Sequence, residues 1–418
     1  MSRIKHVIAA ASVLSIFGAP TTAYSQTIFT TNAMQDAGYS VVDKGQNYRT
    51  WSRLTFQTNA DQTVTSRTNQ VIEVGNWIHR WQTNQSGVGV WVPCAPEIVA
   101  TTNGIVGRGA PHSLLLASNC NSYAAVQLRL PEGQVLKSHL LGLAYYDQAS
   151  GSNLMFATLT NSTAQIIGTT RVSYPSAFSG VDASIAYSYT RAGFSQEIRF
   201  NEMPPDPAEW GLNPATSHLL LITEFVQAPT PSVHTNAWPS GMETMQNQEL
   251  DFGQMKMTVG FAFRSSTNNR KRGIPTAKQW QTLSGRTVLV ERLQWSRVRA
   301  EAAGLPAFGS GSTNSSHASI NGPVRWFAQG NLPPPPPKDT VAPSDPIKMF
   351  AAMPKKDEFI ADYDIVSGGS GWYFWGGYTF LITDETWLQY AEFDPGTVVK
   401  YSDGASLHLS GTFYYGGL

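Results

Sequence analysis

The sequence predicts an all-β protein in three parts: an antiparallel β-sandwich-like region, a Pro-rich linker, and the start of a short C-terminal parallel β-helix, or solenoid. Three observations carry this prediction. Short runs of alternating apolar and polar residues recur between residues 26 and 308, five consecutive prolines occupy residues 333–337, and turn groups then recur to the end. Alternation with period two marks half-buried strands, and a tight repeat of short strands is typical of a solenoid.

Residues 1–25 have the layout of a bacterial secretory signal peptide. Arg3 and Lys5 precede an apolar run over residues 7–19, and small residues then lead to a cleavage position after Ser25. A membrane anchor is the alternative, but a bilayer-spanning helix needs about 20 apolar residues. We therefore expect a chain that is exported to the cell surface or beyond, with no transmembrane segment after cleavage.

The composition favours strands and turns and disfavours a nucleic-acid partner. Charged residues make up 14% of the chain and the formal net charge is zero, whereas an average domain has about 25% charged residues. The one basic run, residues 270–272, lies between asparagines and a glycine, which is typical of a solvated hairpin tip. No cofactor is expected.

The region 26–308 is predicted to be the sandwich, as one unit or two subdomains. The stretch VDASIAYSYT (residues 181–190) places alternate apolar residues on one face, and turn signals separate it from similar runs. Near the end of the region, SRVRAEAAGLP predicts a short helix with Ser296 as its cap and Gly304 as its terminator. This helix would close the sandwich region.

Cys94 and Cys120 are the only two cysteines, and both lie in the exported part of the chain. In an oxidising compartment an isolated pair is most simply a disulfide. Closing a loop of about 27 residues would stabilise the fold by roughly 3–4 kcal/mol. The alternative is a nucleophilic cysteine, which would need a nearby base.

Residues 309–356 are predicted to be a flexible linker that is rich in Gly and Ser and then in Pro. The five prolines impose a polyproline II conformation, which makes a semi-rigid spacer. A binding motif for a proline-reading domain is the alternative interpretation.

Residues 357–418 are predicted to form β-helix-like rungs. In DPGTVVKYSDGASLHLSGTF (residues 394–413) the apolar residues fall on one face of successive short strands. An ordinary meander of hairpins is the alternative. Since a solenoid needs about three coils and a cap, the sequence also raises the expectation that the rungs are incomplete, as in a fragment of a longer protein or a chain completed by another chain.

The same string resembles the rungs that open right-handed parallel β-helices in large bacterial secreted proteins. In the larger region, YPSAFSGVDASIAYSYTRAGFSQEIRF (residues 174–200) is similar to β-sandwich segments of very large secreted repeat proteins of the RHS type. The resemblance implies a surface or delivery architecture with a sandwich, a linker and a β-helix. The RHS repeat motif itself is absent from the sequence, so no activity carries over.

Candidate residues for chemistry are few. No two of the eight histidines lie within ten residues of each other, so the sequence offers no short-range metal motif. Asp362 and Asp364 are candidates for a carboxylate site, because glycan-cleaving β-helix enzymes use paired acids. The alternative is that these and neighbouring acids mark turns and solubilise the outer face.

Aromatic residues are the other candidates. Trp372, Tyr373 and Trp375 offer flat faces that could stack on sugars, as could Trp77, Trp81 and Trp91. For the 372–375 run we favour a plug over the open end of the solenoid, which would cover exposed strand edges, and sugar stacking is the alternative. We therefore predict a secreted or cell-surface structural or adhesive module without catalysis, whose partners are envelope or extracellular glycans or another chain. A polysaccharide lyase or glycosidase and a glycan-binding module are the alternatives.

Overall fold

The computed structural model describes residues 31–237, 246–267, 273–309, 325–326, 332–338, 346–352, 356–367, 372–402 and 404–415. Strands predominate in these ranges, so the all-β class is confirmed. The predicted signal peptide lies outside them. Among the described residues, no helix has both the length and the apolar character that are required to cross a bilayer.

The described elements are as follows in chain order. The helices are α1 (Thr31–Asp36) and α2 (Trp295–Glu301). The first ten strands are β1 (Ser40–Lys44), β2 (Tyr48–Thr58), β3 (Val64–Val74), β4 (His79–Thr83), β5 (Gly89–Pro93), β6 (Glu97–Thr101), β7 (Gly104–Arg108), β8 (Ser113–Leu116), β9 (Val126–Arg129) and β10 (Val135–Asp147). The next ten are β11 (Ser152–Thr158), β12 (Gln165–Ile167), β13 (Arg171–Tyr174), β14 (Ala183–Tyr189), β15 (Gly193–Phe200), β16 (Ser217–Gln227), β17 (Ser232–Ala237), β18 (Gln246–Asp251), β19 (Met255–Met257) and β20 (Gly260–Arg264). The last ten are β21 (Ile274–Leu283), β22 (Arg286–Gln294), β23 (Arg325–Trp326), β24 (Lys348–Phe350), β25 (Phe359–Ser367), β26 (Trp372–Phe374), β27 (Thr379–Ile382), β28 (Glu385–Phe393), β29 (Val398–Tyr401) and β30 (Ser406–Tyr415).

Two large sheets enclose the main core. Sheet I has the antiparallel order β6-β7-β8-β9-β10-β16-β22-β21. Strand β9 pairs with residues 135–138 of the long strand β10, and β11 pairs with residues 142–147 of the same strand. Sheet II has the antiparallel order β12-β13-β14-β15-β25, with β19 and β20 sharing the far edge of β25. Strand β21 pairs with β20 at its start and with β22 after it, so it connects the sheets.

One apolar cluster fills the space between these sheets, with Leu219 and Leu289 from sheet I and Ile185, Ile198 and Tyr363 from sheet II. Helix α2 buries Trp295 and Val298 against the same cluster. It begins one residue before the predicted cap, with Gln294 and not Ser296 at its N-cap position. The predicted closing helix therefore exists, but tertiary burial of its two apolar residues, and not a side-chain cap, determines where it begins.

Strand β25 is a central strand of sheet II, whereas the sequence assigned it to the C-terminal unit beginning at residue 357. It pairs with β15 over most of its length on one side and with β19 and β20 on the other. Two glycines allow this close fit. A Cβ on Gly193 would lie 2.2 Å from the Ile365 carbonyl oxygen, and one on Gly260 would lie 1.9 Å from that of Asp362. The sandwich thus contains residues from both sides of the proline run.

The described parts of the predicted linker are attached to the sandwich. Strand β24 adds to β12 in parallel and β23 pairs with β11. In the proline run, the Pro333 carbonyl accepts a hydrogen bond from Arg286 Nη1 at 2.6 Å, and the Pro337 carbonyl accepts one from the Tyr123 amide at 3.2 Å. Pro333 and Pro336 are buried. The run is therefore a strap along sheet I rather than a spacer between separate units.

Strands β26–β30, here called the stacked unit, pair in parallel. Trp372 lies opposite Ala391 and Thr379 lies opposite Val398, so these two pairs have the same offset along the sequence. The pair of Glu385 with Ser406 has a slightly larger offset. A meander of hairpins is thereby ruled out for these strands, because hairpins pair antiparallel. Assignment of the unit as a β-helix stays a prediction.

The N-terminal hairpin covers one end of the stacked unit. Strand β3 pairs antiparallel with β2 and, over residues 71–74, parallel with β27. Phe380 and Ile382 of β27 consequently have a strand on either side and are fully buried. The predicted aromatic plug has a different place, since residues 372–374 are themselves the strand β26.

Candidate functional site

The two candidate carboxylates lie inside sheet II. Asp362 and Asp364 point to the face of β25 opposite the core residue Tyr363, and they are only 4% and 5% exposed. Asp362 Oδ1 accepts a hydrogen bond from the Phe261 amide at 2.7 Å, which fixes the start of β20 against β25. The structure therefore places these carboxylates in a strand, where burial separates them from any polymeric substrate in solvent.

A buried pair that the sequence analysis missed lies close by. Lys278 and Glu291 are cross-strand partners on β21 and β22, and both are buried. Lys278 Nζ donates to the Thr258 carbonyl, whereas neither carboxylate oxygen of Glu291 has a hydrogen-bond partner within the described ranges. The sequence offers no local signal for this pair, because only the register of β21 against β22 places the two charges on one face.

Burial and charge act in opposite directions on this pair. Burial lowers the pKa of Lys278, and the negative charges of Glu291, Asp364 and Asp362 partly counter that change. Burial likewise raises the pKa of Glu291, against the opposing charge of Lys278. The four groups thus form one electrostatic cluster at the junction of the two sheets. In the described ranges, no group of three or more His, Cys, Asp or Glu side chains is arranged to hold a metal ion.

The two cysteines are free thiols, so the predicted disulfide is wrong for this structure. Cys120 is buried and its Sγ donates to the Thr160 carbonyl at 3.4 Å. Cys94 is half-buried directly after β5, and its amide donates to the Ile78 carbonyl at 2.9 Å. Burial raises the pKa of Cys94 to about 11 and that of Cys120 to about 12, which also disfavours a nucleophilic thiolate at neutral pH.

The C-terminal aromatic run is divided between core and surface. Trp372 is half-buried and packs on Tyr48 of β2, with ring centroids 5.5 Å apart. The Tyr373 hydroxyl donates to Asp394 Oδ1 at 2.7 Å, which ties two turns of the stacked unit together. Trp375 is 45% exposed and approaches Tyr378, itself an exposed ring, at 6.3 Å. Of the three candidates, Trp375 is the most exposed, and stacking on a sugar there stays a prediction.

The hairpin β4–β5 carries a more exposed aromatic pair. Trp81 and Trp91 lie directly opposite each other, edge to face at 5.0 Å, and Trp81 is 61% exposed. The Trp81 ring rests on the backbone of Gly89, where an added Cβ would come within 2.2 Å of it. Trp77, in contrast, is buried beside His112. The glycine and Trp91 thus hold one indole ring in place with a face toward solvent.

Three parts of the molecule meet at Thr383. Its hydroxyl donates to Glu73 Oε1 of β3 at 2.8 Å and accepts a hydrogen bond from Arg191 Nη2 of the sandwich at 3.2 Å. Arg191 Nε also pairs with Asp384 Oδ2 at 3.2 Å. The contacts connect the N-terminal hairpin, the stacked unit and the sandwich through one residue, so the three parts are fixed relative to one another.

Glu73 anchors this junction from the hairpin side. Arg49 Nε and Trp51 Nε1 donate to Glu73 Oε2 at 2.5 and 3.0 Å. Burial raises the pKa of Glu73, but its hydrogen bonds with Arg49, Trp51 and Thr383 and the Arg49 charge outweigh burial and hold that pKa below its usual value. Glu73 is therefore charged at neutral pH although it is almost fully buried.

Comparison with known proteins adds no relative: no family model matches the chain, and no curated protein matches it at a significant level.

Proposed function

We propose that this chain is a secreted or cell-surface structural and adhesive module without catalysis of its own. The observation that carries the proposal is the junction at Thr383. A module that holds other molecules must keep its own parts together, and this junction joins hairpin, stacked unit and sandwich through partly buried, charge-assisted hydrogen bonds. Such bonds are about twice as strong as neutral ones.

The stacked unit supports the same proposal. Its parallel pairing at nearly constant offsets is the arrangement expected of the first rungs of a β-helix. We include in the proposal that the unit is such a start and that the chain is related to the large secreted repeat proteins it resembles. Export directed by the N-terminal segment that ends at Ser25 is part of the same proposal.

An enzymatic role at Asp362 and Asp364 is the first alternative. Their burial in the middle of sheet II argues against it, because the two carboxylates of a glycosidase must flank a bound sugar. An enzymatic role predicts a specific experimental result. Removal of either carboxylate would have to abolish cleavage of some polysaccharide while the fold is retained.

The proposal can be tested with the complete chain expressed with its natural N-terminus in a bacterial host. We expect the protein outside the cytoplasm, with a mass that corresponds to cleavage after Ser25, and we expect it to bind isolated envelopes without releasing oligosaccharide from them. Cytoplasmic retention would overturn the export part. Release of oligosaccharide that is lost in Asp362→Asn or Asp364→Asn would overturn the non-catalytic part.

Glycan binding at the β4–β5 hairpin is a second candidate function, and the position of Trp81 favours it. The indole is held flat on Gly89, and the polar uncharged residues Gln82, Asn84 and Gln85 follow it in the hairpin. An immobilised ring loses little conformational freedom on binding a sugar face. We expect fluorescence quenching by a neutral polysaccharide in the natural chain and in Trp375→Ala, but not in Trp81→Ala. Equal quenching of all three chains would contradict this site.

A further inference from the structure

We propose that the outer half of strand β2 pairs with the same strand of a second copy of this chain, forming an antiparallel sheet across a two-fold axis at Thr55. The inference rests on the proposed structural role and names a partner for it. The segment involved is residues 53–57, which project beyond the part of the hairpin that covers the stacked unit.

Both edges of the outer hairpin are open beyond Arg53 within the described part of the chain, and the Arg53 side chain itself contacts the Ala37 carbonyl and the Tyr39 ring. Strand β1 pairs with β2 only over residues 49–52, and β27 pairs with β3 only over residues 71–74. Beyond these limits, β2 and β3 pair only with each other among the described strands. An edge strand presents a row of backbone donors and acceptors to which another strand can add.

Apolar side chains lie beside this open edge. Leu54, Phe56 and Val64 are 54%, 68% and 62% exposed, and cross-strand pairing places all three on one face of the hairpin. A two-stranded hairpin without a third strand or a packing partner is marginally stable in water. The outer hairpin is therefore a surface that gains both hydrogen bonds and apolar burial from one additional strand.

The sequence of β2 suits a second copy of itself. In an antiparallel pair centred on Thr55, Leu54 of each copy lies opposite Phe56 of the other, so four apolar side chains meet on one face. Arg53 then lies opposite Gln57, and no like charges face each other. An axis at Phe56 would leave Leu54 opposite Thr58. The open edge of β3, residues 64–70, has Val64 as its one apolar residue and offers no comparable pair.

The contact involves about five residues from each copy, which is smaller than a standard interface. We therefore expect reversible dimers with a dissociation constant of about micromolar or weaker. Attachment of many copies to one surface would raise their effective concentration and make such a contact effective. The surface fits side-to-side association of like chains.

Light scattering with size exclusion tests the association over a series of protein concentrations. The natural chain should shift from monomer to dimer, Phe56→Asp should stay monomeric, and Val88→Asp, at an exposed position on another hairpin, should behave like the natural chain. Equal melting temperatures of the two variants would show that folding is unaffected. A monomer at every concentration, or a dimer that survives Phe56→Asp, would overturn the inference.

Cysteine cross-linking tests the register independently. Thr55→Cys should form a disulfide-linked dimer under mild oxidation, because residues at the axis face each other within disulfide reach. Gln57→Cys should not, since its two copies would lie about 13 Å apart along the strands at about 3.3 Å per residue. The natural chain measures the background from Cys94 and Cys120. Equal cross-linking of the two variants would exclude the proposed axis. Neither experiment depends on export or on glycan turnover, so the proposed function can fail or hold separately.

Discussion

Lys278 and Glu291 lie opposite each other on neighbouring antiparallel strands, and both side chains are buried. Lys278 supplies the positive charge that faces Glu291, Asp362 and Asp364 in the interactions that set its pKa. A buried charge that loses its counter-charge is strongly destabilising, whereas joint replacement of both by apolar groups is often neutral. Loss of Lys278 alone therefore leaves three buried acids without its charge, and joint removal of Glu291 relieves only one of them.

We predict that Lys278→Met lowers the free energy of unfolding by about 3–5 kcal/mol. The matched control is Lys256→Met, because Lys256 pairs with Asp251 at 3.1 Å at a half-buried position. Its cost should stay at about 1 kcal/mol. The double variant Lys278→Met with Glu291→Leu should regain part of the loss, because Asp362 and Asp364 stay buried without the lysine charge. Denaturant unfolding measures all of these, and additive losses in the double variant would contradict the coupling.

His112 makes the stability of the sandwich depend on pH. It is buried between the rings of Trp77 and Tyr189. Burial lowers its pKa to about 4, against a smaller opposite effect of a backbone group of Gly193. Between that value and the ordinary value near 6.5, the unfolded chain binds a proton that the folded chain does not. Burial of the neutral His112 side chain therefore costs no stability above about pH 6.5. The free energy of unfolding then decreases as the pH falls toward about 4.

The decrease in the free energy of unfolding is about 3 kcal/mol for the difference between the pKa values of His112 in the unfolded and folded chains. We predict that His112→Phe, which keeps an aromatic ring in place, reduces the slope of unfolding free energy against pH by about one proton in this window. Urea unfolding at several pH values gives the slope. An unaltered slope in His112→Phe would show that another group carries the acid sensitivity.

The two thiols are predicted to stay reduced and to react only slowly in the folded protein. With the pKa of Cys94 at about 11 and that of Cys120 at about 12, almost no thiolate is present at neutral pH. A thiol reagent should therefore modify both slowly in the folded protein, half-buried Cys94 before buried Cys120, and both rapidly after denaturation. Added reductant should not change the melting temperature. A cross-linked peptide that contains both cysteines in a non-reducing digest would contradict this prediction.

The strands could be predicted from local alternation, but their partners could not. The alternation of Asp362 and Asp364 with Tyr363 indicates a strand, yet nothing near it in sequence indicates that its neighbours contain Gly193 and Gly260, which lie far away along the chain. The predicted boundary at residue 357 followed the prolines, which are usual in spacers. The proline run instead lies on sheet I, where Arg286 donates a hydrogen bond to the Pro333 carbonyl. Proline lacks an amide hydrogen, but its carbonyl can still accept such a bond.

The candidate residues show the same limit. A pair of cysteines in an exported chain predicts a disulfide by compartment alone, whereas the fold leaves both thiols free. Lys278 and Glu291 are separated by a hairpin and become partners only through strand register. The short repeat of the stacked unit left parallel stacking and a meander of hairpins both open, and only the strand pairing decides for the parallel arrangement. The cover of this unit, the hairpin β2–β3, comes from the opposite end of the chain.

Glu73 is predicted to control how firmly that hairpin is attached. Its carboxylate accepts hydrogen bonds from Arg49, Trp51 and Thr383. Glu73→Gln keeps the shape but removes the charge, so we expect a loss of about 2–3 kcal/mol at neutral pH, as for hydrogen bonds to a charged group. The exposed pair of Glu97 with Arg108 provides the control, because Glu97→Gln should change stability by less than about 1 kcal/mol.

The pH dependence of this loss identifies the carboxylate as its cause. Because the folded-state pKa of Glu73 is lowered, its contribution is present above the unfolded value, near 4.5, and disappears as the pH falls through the folded value. The difference between the natural chain and Glu73→Gln should therefore be largest at neutral pH and shrink in acid. Hydrogen exchange should show faster opening of β27 in the variant, since β3 is its neighbour. A pH-independent difference, or unchanged exchange in β27, would mean that Glu73 does not hold the hairpin on the stacked unit.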